Sequence, residues 1–452
     1  MEKIIVIGGG LAGCEAAWQA VKQGVNVLLF EMRPIRMTGA HKTPFLSELV
    51  CSNSLRSREI TTGAGLLKEE LRQAGSLIME AAAVSEVSAG SALAVDRVLF
   101  CQYITNIVEK CPFIKIVREE VTTFLEDAIS IVATGPLTSD SFTERIASLV
   151  GEDSLYFYDA IAPIIDAESI DFSKIYLSSR YNKGGDDYVN CPMTKEEYDR
   201  FFDEMMEADT AAIREFENLK VFEGCMPVEV MARRGRDTLR YGPLRPVGLP
   251  NPRTGKIPHA VVQLRSENRG KTAYNMVGFQ TRMTWTEQKR VFRMIPGLEH
   301  AEFLRFGSIH RNTYINSPKH LHRDLSLKEK NTVYFAGQIA GVEGYIESTA
   351  MGLLAGINAA RRVSERKFIG VPRFTAHGSL LHYIMESDAK HFQPSNMHYG
   401  LFPEDADVCS IKDKKLRRQK IADIALTQWA AYMNALSAKN SEYDQDSAGK
   451  KI

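Results

Sequence analysis

Near the start of the chain, Lys3 to Ile7 is an almost unbroken apolar run, the pattern of a parallel strand covered on both faces. Three glycines interrupt it, and the Ala-rich stretch that follows to about Gln23 has the composition and period of a helix. Gly24 ends that helix, and Val25 to Phe30 predicts a second buried strand closing at Glu31. The same strand-into-glycine junction returns at Ser130 to Ala133, before Thr134-Gly135-Pro136, and at Thr332 to Phe335, before Ala336-Gly337-Gln338. Beyond the last junction, Ser348 to Val363 reads as a helix with Gly352 and Gly356 one turn apart. Between about 150 and 320 the pattern changes. Alternating runs such as Ala260 to Leu264 and Ala273 to Phe279 predict antiparallel strands. One α/β domain interrupted by an inserted α+β domain accounts for this order. Its first part covers 1–150, the insert 151–318, and the second part with C-terminal helices 319–436. The polar, aperiodic stretch 437–452 is expected to be a flexible tail.

Gly8, Gly10 and Gly13 give the spacing GxGxxG where it has physical meaning, between a strand and a helix. Gly8 permits the tight turn, Gly10 lets backbone approach a pyrophosphate, and Gly13 lets helix and strand pack closely. Gly9, Leu11 and Ala12 complete the turn, and the helix N-terminus offers N–H groups and partial positive charge to phosphates. Glu31, 18 residues beyond Gly13, is placed to accept hydrogen bonds from an adenosine ribose. Two features favour FAD over NAD. Gly135 ends a strand aimed at the same crevice, and Gly337-Gln338 precedes a helix whose N-terminus would sit under a flavin. This layout resembles the glutathione-reductase-like flavoproteins, so the expected fold class is α/β, an FAD-binding Rossmann-like domain with an inserted α+β domain. No second GxGxxG follows a strand, so NAD(P)H would use a shared or transient site.

Composition narrows the partners. The chain carries 56 Lys and Arg against 56 Asp and Glu, which excludes coating nucleic acid by bulk charge. No apolar run approaches the roughly 18 residues that a membrane span needs. The segment before Gly8 is too short for a signal-peptide core, so a cytoplasmic location with reduced thiols is expected. The seven cysteines include no CxxC pair, and no His/Cys cluster has ligand spacing, so no metal site is expected. Cys14, Cys101, Cys111 and Cys409 lie in apolar or helical patterns and read as buried structural thiols. Cys51 and Cys225 have unusual neighbours. Gly224 and Pro227 predict a sharp turn presenting Cys225, and Arg233, Arg234 and Arg236 follow closely; positive charge of that kind makes a thiolate available. On residue context alone, Cys225 is as much a buried filler as a nucleophile.

The segments ELVCSNSLRS, GLLKEE, ALAVDR, ATGPLTSD, FEGCMPVEVMARRGRDTLRYGPLRPVGL, AVVQLR, VGFQT, HRNTYINSP, YFAGQIAGVEGYIES and GLFPE resemble the folate- and FAD-dependent tRNA (uracil-5-)-methyltransferase family, Gid or TrmFO. The likeness extends from Ile4 to about Pro403. It implies methylation of uracil C5 at position 54 in the tRNA T loop. The carbon would come from methylenetetrahydrofolate and the electrons from reduced FAD, with NAD(P)H regenerating the flavin. It implies Cys225 as the thiolate that adds to uracil C6 and Cys51 as the second thiol, the base, with the exchanged assignment open. It places Gly344 and Tyr345 near the flavin face, with the folate between them and Gly278-Phe279-Gln280-Thr281. Members often carry His after GFQT; Arg282 stands there instead and would either stack on the pterin or meet the glutamate tail. Where many relatives have Asp after the last glycine, this chain has Gln338, which makes that contact neutral.

RNA requires local positive charge. Arg233 to Arg245 holds five Arg, Arg240 among them, and one Asp, net +4. Lys412 to Lys420 holds six Lys or Arg and one Asp, net +5, on an expected C-terminal helix. The first run is expected to meet tRNA; the second is equally a solvated helix face. Arg311, with His310 and Asn312, is expected either at the RNA or in a core polar network. A uridine buried in folded tRNA has to be extruded to expose C5 and C6. Other readings remain open: the same chemistry on a ribosomal RNA uridine, a flavin-dependent oxidoreductase acting on a small molecule, and a non-catalytic RNA-binding flavoprotein. The oligomeric state is not legible in the sequence.

Overall fold

The computed structural model describes residues 3–125, 128–151, 155–183, 185–210 and 226–448, with 155–161, 309–312 and 438–448 described by backbone alone. Ile4 to Ile7 is buried on both faces because Lys3–Ile7 is the middle strand of a five-stranded parallel sheet. The strand order is Val333–Phe335, Ser130–Val132, Lys3–Ile7, Asn26–Phe30, Ile114–Val117. All three strand-into-glycine junctions therefore belong to one sheet, as an α/β fold requires.

Two helices, Leu11–Lys22 and Tyr345–Val363, pack on this sheet and on each other. A Cβ on Gly352 would lie 2.3 Å from the Ala12 carbonyl oxygen, and one on Gly356 would lie 2.4 Å from that of Ala16. The helices thus cross at backbone contact, which accounts for the two glycines one turn apart. The second helix begins at Tyr345 rather than Ser348. Its N-cap is Gly344 at φ 114°, with no capping side chain for sequence reasoning to find.

The long excursion forms a six-stranded sheet with antiparallel pairing throughout. Its order is Tyr176–Leu177, Tyr188–Met193, Ala260–Ser266, Ala273–Met276, Ile164–Asp166, Phe303–Arg305. The strand expected to reach Phe279 stops at Met276, because the chain turns at Gly278 with φ 77°. Phe279 instead joins a separate core with Tyr198, Phe201 and Phe292 from helices Lys195–Glu207 and Trp285–Phe292. A capping box between Thr194 and Glu197 starts the first of these helices. The chain passes into and out of this region through an antiparallel pair, Leu155–Ile161 with Ser308–Tyr314.

The final helix spans Lys414–Ala448, so it continues through much of the segment expected to fray. Ala422, Ala425, Trp429, Tyr432 and Leu436 bury one stripe of its first two thirds, and Trp429 Nε1 donates to the Glu70 carbonyl at 2.8 Å. Residues 449–452 lie outside the described residues. Among the described residues, no helix is long and apolar enough to cross a membrane, and no group of His, Cys, Asp and Glu is arranged to hold a metal ion.

Candidate active site

The C-terminal ends of the parallel strands open onto a cleft of about 1020 Å³. Of the residues expected at a dinucleotide, Gly8, Gly9, Gly10, Leu11, Ala12, Glu31, Gly135, Gly337, Gln338 and Tyr345 line it. Gly8 turns at φ 104°, and a Cβ there would lie 2.6 Å from the Ala133 carbonyl oxygen. A Cβ on Gly10 would meet nothing within 4 Å, so the backbone at that point is bare to the cleft. The first bond of the helix runs from Cys14 N to Gly10 O at 2.9 Å, which leaves the Leu11 and Ala12 N–H groups without an acceptor inside the helix. Gly13 and Gly344 are not among the lining residues. Gly13 sits under the turn, where a Cβ would lie 1.8 Å from Gly8 O, and a Cβ on Gly344 would lie 2.3 Å from Glu347 Oε2.

Glu31 is at the cleft but is already engaged. Its carboxylate accepts from Gly9 N at 2.9 Å and from Arg33 N and Nε at 3.0 and 2.9 Å. Burial alone would raise this carboxyl; the hydrogen bonds and charge of Arg33, with the Gly9 N–H, outweigh it and hold the group below the usual carboxylate range. Arg33 continues to Glu48, Nη1 to Oε2 at 3.2 Å, so two carboxylates flank one buried guanidinium at this wall. Sequence reasoning found Glu31 and missed Arg33 and Glu48. At the opposite wall, Gln338 Nε2 donates to Glu343 Oε2 at 2.9 Å.

Tyr345, Ser348 and Val50 carry the cleft toward the half-buried Cys51. The Tyr345 hydroxyl accepts from Cys51 N at 2.8 Å and from Ser52 N at 3.2 Å. Burial, and then the negative charge that Cys51 can carry, push this phenol well up, so it stays neutral. Three arginines surround the same loop. Arg97 and Arg305 each donate to the Cys51 carbonyl at 2.9 Å, and Arg265 donates to Ser52 Oγ at 2.7 Å and Asn53 Oδ1 at 2.9 Å. ALAVDR and AVVQLR end on Arg97 and Arg265, the one available signal; nothing in the sequence connected them to residue 51.

Cys225 lies outside the described residues, so the structure assigns it no position. The chain just beyond it is fastened: Val228 N donates to Gln280 O at 2.7 Å, and Glu229 accepts from Thr281 Oγ1 at 2.9 Å and Arg282 N at 3.0 Å. The helix Val228–Ala232 is thereby joined to the turn expected to face folate. Burial pushes the Glu229 carboxyl up, with Arg282 Nε 3.8 Å away. The basic run after it is unevenly neutralised. Arg233, Arg234 and Arg236 are all exposed; Arg236 pairs with Asp199 at 3.2 Å and with Asp203, and Arg240 pairs with Asp237 at 2.6 Å. Arg311 lies on the Ser308–Tyr314 strand, with its side chain, like those of His310 and Asn312, outside the described atoms. Lys412, Lys414, Lys415 and Lys420 are exposed. Among the remaining thiols, Cys14 and Cys101 are buried, and burial pushes them up to about 12 and about 11. Cys111 is half-buried, and Cys409 is exposed rather than buried because only Val408 of its short helix, Ala406–Cys409, faces the core.

A glycine turn at a helix N-terminus, opening a cleft above a parallel sheet, defines a dinucleotide-binding protein of the Rossmann type. The profile of the family "Glucose inhibited division protein A" matches residues 3–367. The chain is 56% identical over 424 residues to a Natranaerobius thermophilus protein named "Methylenetetrahydrofolate--tRNA-(uracil-5-)-methyltransferase TrmFO", covering 94% of this chain and 97% of that one. A Geobacter sulfurreducens protein of the same name is 56% identical over 429 residues, 95% and 99% of the two chains. The chain belongs to this family, the TrmFO proteins. Among solved structures, Aquifex aeolicus GidA superposes with a TM-score of 0.68 over 97% of this chain and 76% of that one; at 17% identity this likeness concerns the fold.

Proposed function

We propose that the chain is a tRNA uracil-5-methyltransferase that converts the T-loop uridine at position 54 to 5-methyluridine, taking its carbon from methylenetetrahydrofolate. Near full-length identity of 56% to proteins bearing that name is the observation that carries the reading. The cleft fits FAD: a bare Gly10 backbone and free helix N–H groups suit the pyrophosphate, and the Glu31–Arg33–Glu48 wall suits the adenosine ribose. Reduced FAD, when bound, supplies the hydride that turns a methylene into a methyl, and NAD(P)H restores it.

The residues have separate tasks. The Cys225 thiolate adds to uracil C6, and the electron pair of the C5–C6 double bond moves so that C5 becomes nucleophilic. One of the two C–N bonds of the folate methylene opens to give an iminium, C5 bonds to that carbon as the C=N pair moves to nitrogen, and the Cys51 sulfur takes the C5 proton. Tetrahydrofolate would depart with its bonding pair and, once a bound reduced flavin had supplied its hydride, the C6–S bond would break to return the Cys225 thiolate. Arg233, Arg234, Arg236, Arg240 and Arg311 meet tRNA phosphates. Arg233 suits this role better than Arg236, which two aspartates already neutralise.

The test is incubation of purified protein with unmodified tRNA, labelled methylenetetrahydrofolate and NAD(P)H, followed by mass mapping of the RNA. Label at C5 of residue 54 is the expected result. Label only in a ribosomal RNA transcript would move the substrate, and NAD(P)H oxidation without any labelled RNA would remove the reading.

A further inference from the structure

The backbone of Cys51 is held on every polar atom. Its N–H donates to the Tyr345 hydroxyl, and its carbonyl oxygen, with two lone pairs, receives one guanidinium N–H from Arg97 and one from Arg305. Arg305 also donates to Val50 O at 3.0 Å, and Arg97 to Leu49 O. Arg265 holds Ser52 and Asn53, and the fully buried Asn53 is tied in turn to Val95 O and Ser266 O, each at 3.0 Å. Among the described residues, none of these hydrogen bonds goes to the Cys51 sulfur. The guanidiniums come from three separate elements: the helix Arg97–Lys110 beside the nucleotide-binding sheet, and two strands of the inserted sheet.

Charge adds a second observation. Among the described residues, Arg97, Arg265 and Arg305 are accompanied by one carboxylate, Glu267, which pairs with Arg97. Taking guanidiniums out of water is costly, and surplus positive charge in such a place favours a negative partner. Burial, then Arg97, pull Arg305 down to about 10, while a negative Cys51 raises all three arginines. The groups facing the thiol loop are Arg97, Arg265, Glu267, Arg305 and Tyr345, with the Arg56–Glu347 pair farther along it.

We propose that Arg305 is a positioning residue for Cys51: with Arg265 it lets the inserted sheet fix the thiol-bearing loop and place positive charge beside the sulfur. This rests on the reading of Cys51 as a reacting thiol. A point-charge ammonium could keep the charge but could not grip the Val50 and Cys51 carbonyls together.

The experiment compares Arg305→Gln and Arg305→Lys with the parent enzyme for flavin content, melting temperature, kcat, both KM values and the pH–rate profile. For Arg305→Gln, kcat should fall about a hundredfold, with the KM for tRNA and for methylenetetrahydrofolate changed less than about twofold. The ascending limb of its profile should move to higher pH, since a thiolate loses a nearby cation. Arg305→Lys should leave that limb in place and lose about three- to tenfold in kcat. An unshifted limb in Arg305→Gln, or kcat within about twofold of the parent in either variant, would overturn the proposal. Should Arg305→Gln fail to retain flavin, the Lys variant decides by the same kcat criterion. Cys51→Ser separates the layers: an active Cys51→Ser enzyme removes the reading of Cys51, whereas an inactive one beside a parent-like Arg305→Gln removes only the inference about Arg305.

Discussion

The dinucleotide cleft and the Cys51 loop lie at two ends of the same crevice and are built on opposite principles. The cleft is a backbone site. Gly8 to Gly13 supply a turn, a bare stretch of main chain and a helix start within six residues, beside the wall formed by Glu31, Arg33 and Glu48. The Cys51 loop is a side-chain site, gripped by residues 97, 265, 305 and 345. A site of the first kind is limited by sterics and fails abruptly. One of the second kind is limited by the seating of two sheets on each other and fails by degrees.

The sharpest way to break this contrast is Gly13→Val. Its Cβ alone would lie 1.8 Å from the Gly8 carbonyl oxygen, a backbone atom that cannot swing aside. Overpacking of that kind costs on the order of 3 kcal/mol or more, so the variant should yield no soluble protein with a flavin spectrum. On the other side, Tyr345→Phe removes only the acceptor for Cys51 N and Ser52 N. Leaving buried N–H groups unpaired costs about 1–3 kcal/mol, so kcat should fall about tenfold while the flavin spectrum persists. Equal loss of flavin in both variants would erase the distinction.

Smaller effects sharpen it. Arg233→Ala should weaken tRNA binding several-fold and lower the salt slope by about one, whereas Arg236→Ala should do less because Asp199 and Asp203 already neutralise that charge. Filter binding over a salt series checks the ordering. The smallest effect concerns Glu31. Its carboxyl lies below the ordinary 4.5 in the folded protein, so its stabilising contribution is present above that pH and is lost as pH falls through the depressed value. The melting temperature should therefore fall on acidification below about 4.5, and Glu31→Gln should flatten that fall by a few degrees.

The same contrast explains what was legible in the sequence. The parallel strands and the Gly8–Gly13 turn follow from local pattern, because burial on both faces and helix-start geometry are written in adjacent residues. Glu31 was legible for the same reason, being the terminus of a readable strand. Its capture by Arg33 was not, since an acid two positions from an arginine carries no mark of direction. Arg265 and Arg305 escaped because their partners lie 212 to 255 positions away. Arg282, a departure from the likeness that identified the family, was read toward folate alone; the structure adds its backbone bond to Glu229, four residues past Cys225.

The crossing of Gly352 and Gly356 over Ala12 and Ala16 has a bearing on how the protein comes into being. The nucleotide turn leaves the ribosome ahead of its covering helix, which is made roughly 340 residues later. At about 5–20 residues per second, the nascent amino-terminal strands wait tens of seconds with one face bare. The cleft therefore cannot close around a cofactor until the helix that ends at Val363 has been made, and truncation before residue 363 removes part of that cover.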